Sequence, residues 1–483
     1  MDPFELLARE FLSDAVEELI RQQALPLRPN RPHVSVGDDY EGPPIMALGT
    51  FKALSAFLAE TYPERFASRR DREKQEYTNS YIFNFLESAI NLSFDASSQE
   101  ILTNNAVVKV MAELREVLEG ELVEIRAMRF LSNVTTSEPE IDFGGIRLIA
   151  ASESTFERNS LAVRQIPGAA RLLSENRRFV YDPPHSWLTK SQNTSTDTVE
   201  STRLALAREL SYYQTALCLY SGATINPHFE ISGATTMFSP SHVQVDDFLI
   251  APMGNIMKRG IKVHKDDIMP ISEIATWLAS SNQASNGVIA TPIGIAISKF
   301  SGASSFSSGF ERIIDLMTAL EALLLKDDET ESIGLRLRTR AAILLSTERD
   351  SATTIAKDLG ALYSVRSILV HGSTLKQSKL ASALAKVSSI ERQPDFYGRF
   401  GIQLDLAADR LRDLTRRAIL MRLALNMAPK SPWTFEISPD LDELSLEPKV
   451  GVDLNTLWRG TLNEIGASKS LREAPSAQLF LSD

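Results

Sequence analysis

Cysteine is almost missing from this chain: the 483 residues include one, Cys218, which excludes an internal disulfide framework and any zinc site built from cysteines. Histidine is scarce as well. The six, His33, His185, His228, His242, His264 and His371, include no two at the three-to-five spacing of a local metal site. There is no G-x-x-x-x-G-K-[ST] loop, no G-x-G-x-x-G after a strand, no H-E-x-x-H pair and no G-x-S-x-G elbow. The common phosphate-loop, dinucleotide, zinc-protease and serine-hydrolase chemistries therefore leave no fingerprint. No apolar run approaches the roughly 20 residues that cross a bilayer. The opening MDPFELLAREFLSDAVEELI has acids where a secretory signal has bases, so a soluble, cytoplasmic protein without a membrane role is expected.

What the chain does have is ordinary globular composition, 43% hydrophobic, with 51 basic and 62 acidic residues and a net charge of -11. A length of 483 residues exceeds one ordinary core, so two or three domains are expected. The acidic balance argues against indiscriminate nucleic-acid binding. Charge is nevertheless uneven. Residues 301–430 hold 19 bases and 15 acids, leaving 32 and 47 elsewhere, and Arg336 to Lys386 holds 9 against 3. A basic island in an acidic chain points to an anionic ligand, while a solvated helix face is the plainer explanation.

Periodicity divides the chain into a helical region over 1–118, an α+β region with a small sheet over 119–260, a helical bundle over 265–428 and an acidic tail over 431–483. The fold class is thus mainly α with an α+β middle. In the first region Leu7, Phe11, Ala15 and Leu19 have helical spacing, and further helices are expected near 45–61, 76–92 and 98–118. ELVEIRAMRFLSNV, IRLIAAS and HFEISGATTMFS read as strands, Thr202–Tyr220 as a long helix, and Phe179–Asn193, with its two prolines, as a loop. Beyond Asp266 helices are expected over 271–280, 310–325, 332–345, 355–370, 380–389 and 404–426. The clearest places Ile313, Leu316, Met317, Leu320, Leu323 and Leu324 on one stripe. The tail is expected to dock through Trp433 and Trp458.

One segment carries chemistry: Tyr363-Ser-Val-Arg-Ser-Ile-Leu-Val-His-Gly372, where the glycine suits a left-handed helix end. Arg366 and His371 lie five apart, about 140° round a regular helix, so they meet only if His371 sits where the helix unwinds or if a second chain supplies a copy. At a helix C-terminus the dipole favours the imidazolium, poising His371 as a general acid near neutrality, although capping the last carbonyls needs no catalysis.

Three motifs in order, Phe310-Glu-Arg-Ile-Ile-Asp-Leu-Met-Thr-Ala-Leu-Glu-Ala-Leu-Leu-Leu, Gly334-Leu-Arg-Leu-Arg-Thr-Arg-Ala-Ala-Ile-Leu-Leu and Tyr363–Gly372, resemble the Apea-like HEPN domain family over about 80 residues. The resemblance implies a small helical bundle whose Arg-x(4–6)-His motif, here Arg366 and His371, is the active site of a metal-independent endoribonuclease, often in antiviral defence or toxin systems. Ser367 falls where many members hold a larger polar residue. No cofactor is implied. RNA carries its own nucleophile in the 2′-hydroxyl, so proton transfer by His371 and charge neutralisation by Arg366 suffice. Two copies across a homodimer axis would complete so thin a site. Among supporting residues, Tyr363 serves to stack a base or simply to fill the core or rim. Glu321, if buried, needs Arg366 or Arg340 as partner. Arg336 and Arg338, with Lys376, are the candidate RNA contacts. The amino-terminal half, matching no domain, is expected to regulate or sense an unknown trigger. A catalytically silent HEPN module that binds nucleotide or a protein partner is the alternative, and a helical scaffold without a nucleic-acid role is the third.

Overall fold

The computed structural model describes residues 3–22, 42–62, 82–83, 85–86, 89–90, 103–119, 122–150, 185–195, 198–234, 244–247, 260–283, 291–303, 308–326, 329–370, 377–391, 400–429, 431–435, 441, 443 and 447–471. It is mostly helical, with a six-stranded sheet and a two-stranded one among the described residues. The helices are α1 (Pro3–Arg21), α2 (Gly42–Ala47), α3 (Gly49–Thr61), α4 (Asn104–Leu118), α5 (Val199–Ser221), α6 (Ile268–Gln283), α7 (Pro292–Gly302), α8 (Gly309–Leu324), α9 (Ile333–Leu345), α10 (Ala352–Val370), α11 (Gln377–Leu384), α12 (Ser388–Glu391), α13 (Phe400–Met427) and α14 (Pro448–Glu464). None of the described helices is long and apolar enough to cross a membrane.

The strands are β1 (Leu122–Ser132), β2 (Val134–Thr136), β3 (Glu140–Asp142), β4 (Arg147–Ala150), β5 (His185–Ser195), β6 (Asn226–Ala234), β7 (Gln244–Asp247) and β8 (Ile261–Val263). Six of them form a sheet in the order β3-β4-β5-β1-β6-β7, every neighbouring pair antiparallel, while β2 and β8 pair in parallel. Helix α5 lies across β1, β5 and β6 and ends at Gly222, whose φ of 70° is the left-handed cap that glycine adopts without strain. A buried ion pair crosses the sheet: Arg129 on β1 stands opposite Glu230 on β6 and binds its carboxylate, with Ser211 and Gln214 of α5 accepting at 2.8 Å from the same guanidinium.

The loop expected over 179–193 is corrected from 185 onward. Residues 185–195 form β5, paired on both sides, and 179–184 lie outside the described residues. The alternation that marks a half-exposed strand is absent because residues 186–189 are buried on both faces, while Gln192 and Asn193 further along are both exposed. Ser186, Trp187, Leu188 and Thr189 are all buried, the Trp187 ring lies 4.8 Å from Phe130, and Lys190 is tied at 2.6 Å to Glu209 on α5.

The bundle is organised on α13, whose 28 residues are buried almost without interruption from Leu406 to Leu425. Helices α7, α8, α9, α11, α12 and α14 all touch it. So central a helix has no solvent face, yet it carries Arg410, Arg412, Arg416, Arg417 and Arg422, all buried. Three of these cations are matched by carboxylates, while Arg412 and Arg422 donate to the backbone carbonyls of Ala223 and Thr434. Asp350 takes Arg410 and Arg417 at 2.8 Å, Asp358 takes Arg410 at 2.7 Å, and Asp413 takes Arg416 and Arg417. Burial by itself would raise Asp413, but Arg417, Arg416 and Arg410 outweigh it and hold its carboxyl far below the usual range. Two of the arginines also join the bundle to the middle region: Arg412 donates to the Ala223 carbonyl at 3.1 Å and Arg416 to that of Leu219 at 2.8 Å.

Three bundle expectations change. The helix expected over 380–389 stops at Leu384 and restarts at Ser388, because the buried Asp358 carboxylate accepts from the Ser388 backbone N–H at 2.7 Å and hydroxyl at 2.6 Å. Helix α7 is an addition to the expected set, although Thr291 caps it and Pro292 opens it, the hydroxyl accepting from Gly294 N–H at 3.1 Å. The tail likewise contains α14. Trp433 and Trp458 are both buried; Arg422 lies 4.3 Å above the Trp433 ring, and Trp458 donates to the Leu344 carbonyl at 3.0 Å.

Candidate active site

Helices α8, α9 and α10 pack so that three of the singled-out side chains meet. The α8 stripe is buried as its spacing demands, and Glu321 sits at its edge facing α10. Arg366, on the last turns of α10, places Nη1 3.2 Å from Glu321 Oε1, with 27% and 19% of the two side chains exposed. The Arg366 guanidinium also lies 5.9 Å from the Tyr363 ring centre, one turn earlier. That ring is half-buried and packs on Gly334 at the start of α9, where an added Cβ would come within 3.2 Å of it. The cation is therefore held from two sides while part of it stays in solvent. Its Nε is buried and has no hydrogen-bond partner among the described residues.

Burial pushes the Glu321 carboxyl above its ordinary value, and the nearby Arg366 only partly reverses this. An ionised Glu321 is thus held at a cost, and its grip on Arg366 is weaker than the separation alone suggests. An incoming phosphate, doubly able to accept from the planar fork, competes well for the same guanidinium.

Other singled-out residues lie elsewhere. Arg340 is not the partner of Glu321. It is wholly buried, bonded to both Glu329 oxygens at 2.7 and 2.6 Å and to the carbonyls of Leu324 and Leu441, which makes it a core clamp without access to substrate. Arg336 joins the same Glu329 at 3.1 Å. The hydrogen bond from Arg340 holds the Glu329 carboxyl down at about 2. Ser367 is exposed on α10, beside Arg366 in sequence but pointing to solvent. His371, Gly372 and Lys376 lie outside the described residues; Val370, the residue before His371, is the last described residue of α10. Arg338 is exposed and faces a different groove, which sequence reasoning did not find. Lys357, Lys379 and Lys386 line that groove with it. Their only sequence signal is the 9-to-3 charge count, which gives no direction in space.

Nothing among protein-family models, curated proteins or solved structures matches this chain. The site therefore stands on its own geometry and on the sequence motifs.

Proposed function

We propose that this chain is a metal-independent endoribonuclease of the HEPN type, active as a homodimer in antiviral defence or a toxin system, with its amino-terminal half regulating access. The observation that carries this reading is the Arg366 guanidinium, partly exposed and steadied by Glu321 and Tyr363 on a helix whose described residues run to Val370, next to His371 in sequence. In the proposed reaction the RNA 2′-oxygen attacks the adjacent phosphorus as the bond from phosphorus to the 5′-oxygen breaks. The products are a 2′,3′-cyclic phosphate and a 5′-hydroxyl. Arg366 neutralises the equatorial oxygens of the pentacoordinate phosphorus, leaving Glu321 to do so. His371 gives its proton to the departing 5′-oxygen, and a second histidine, from the other copy of the motif, takes the proton of the 2′-hydroxyl.

The alternative, a silent HEPN module that binds nucleotide or a protein partner, draws on the Glu321 carboxylate already seated on Arg366. One assay separates the two. Purified full-length protein is incubated with RNA in excess chelator, and the 3′ ends are mapped. Cyclic-phosphate products that vanish in Arg366→Ala and in His371→Ala support the nuclease. RNA left intact by the wild type, or cut equally by both variants, refutes it.

A further inference from the structure

Helix α10 presents two cationic faces, and the second is unused by the reaction above. Opposite Arg366, its Lys357, Gly360 and Ser364 combine with α9 and α11 to form an open groove of about 600 Å³. Four cations line it: Arg338 from α9, Lys357 from α10, Lys379 from α11, and Lys386 just past the end of α11. Among the described residues, no carboxylate and no aromatic ring lines it. Arg338, Lys379 and Lys386 have no ion-pair partner among the described residues, whereas Lys357 reaches Glu391 at 3.1 Å with both side chains about half exposed. Gly360 forms part of the floor. A Cβ there would meet Arg338 Nη1 at an ordinary contact distance of 3.5 Å, which places the guanidinium against α10. Ser378 and Ser382 add exposed hydroxyls along one wall.

In a chain of net charge -11, gathering four cations with Glu391 as the one ion-pair partner among the described residues costs mutual repulsion that an anion relieves. Hydroxyl donors beside the lysines suit phosphate oxygens, and a wall without aromatics offers nothing on which a base would stack. We propose that this groove is a phosphate-binding site, separate from the Arg366 face, that takes a run of phosphates from one ligand by charge and hydroxyl contacts without reading bases. An RNA strand and a free polyphosphate share that chemistry.

The test uses the full chain and two probes: a labelled 2′-O-methyl RNA of about 12 nucleotides, which lacks the attacking hydroxyl and cannot be cut, and inorganic tripolyphosphate. Binding is measured for wild type, for Lys379→Glu/Lys386→Glu, and for Lys52→Glu, an exposed control on α3. The double variant is expected to weaken binding about ten-fold or more at low salt. It should also flatten the logarithmic salt slope by about 0.7 for each phosphate that the variant leaves unneutralised, with the control within about two-fold of wild type. Loss on the RNA probe identifies a strand as the ligand; loss on tripolyphosphate alone identifies a free polyphosphate. No binding of either probe by the wild type, or equal losses in the double variant and the control, overturns the proposal. Because the RNA probe is uncleavable and Arg366 is untouched, this outcome and that of the cleavage assay are independent.

Discussion

Removing Arg366 and neutralising Glu321 are expected to have unequal effects, although each breaks the same ion pair. At 3.2 Å and an effective dielectric of about 20 the attraction is about 5 kcal/mol. Burial costs the Glu321 carboxylate more than Arg366 returns, since its acid stays raised with the cation in place. Glu321→Gln removes both the attraction and the buried charge and leaves a hydratable guanidinium, so stability at neutral pH changes by about 0.5 kcal/mol or less. Arg366→Ala leaves a carboxylate only 19% exposed without its cation. Its cost falls between the near-zero of surface pairs and the 3–5 kcal/mol of buried ones, about 2 kcal/mol. The pH dependence has a definite sign. A raised acid destabilises the fold only when ionised, so the Arg366→Ala deficit is full above the folded pKa of Glu321 and disappears as pH falls toward the unfolded value near 4.5. Urea unfolding followed by the fluorescence of buried Trp433 and Trp458, between pH 5 and 8, measures it, and Arg366→Ala/Glu321→Gln recovers most of the loss. Equal costs for the two single variants, or a deficit that does not move with pH, refute the reasoning. The comparison also guards the cleavage assay, since an Arg366→Ala enzyme that is folded but inactive has lost chemistry rather than structure.

Two further outcomes concern the frame behind the site. Arg340→Met keeps the stem but strips from the buried Glu329 carboxylate the nearer of its two cations, and because Arg336 remains the expected cost is about 3 kcal/mol in chemical denaturation, the low end for a broken buried pair. Since the folded Glu329 titrates near 2, the wild-type contribution is present above about 4.5 and is lost as pH falls toward 2, so the difference from Arg340→Met narrows in acid. Asp358→Ala orphans the Ser388 N–H and one face of Arg410, which keeps Asp350; a loss of about 3–4 kcal/mol is expected, with hydrogen exchange of α12 rising before that of α13.

The sequence by itself determined the helical bundle and its main seam, because an unbroken three-and-four apolar stripe such as that of α8 has one low-energy use, burial against neighbours. It also determined β1 and β6, whose strand character survives in their local pattern, and it offered Arg366 with Glu321 as a possible pair. What it withheld was anything that depends on covering both faces of an element. Strand β5 lost its alternation where Ser186 to Thr189 are buried on both faces, and α13 hid its place at the centre behind five arginines that read as solvent-facing until Asp350 and Asp358, from earlier in the chain, join Asp413 of the same helix in pairing three of them. Arg336, Arg338 and Arg340 alternate in one short run, yet two converge on Glu329 and one faces the groove. A charge count sums over directions. Only packing decides which cations are neutralised within the core and which are left for a ligand, because the Coulomb and desolvation energies that sort them depend on neighbours distant in sequence.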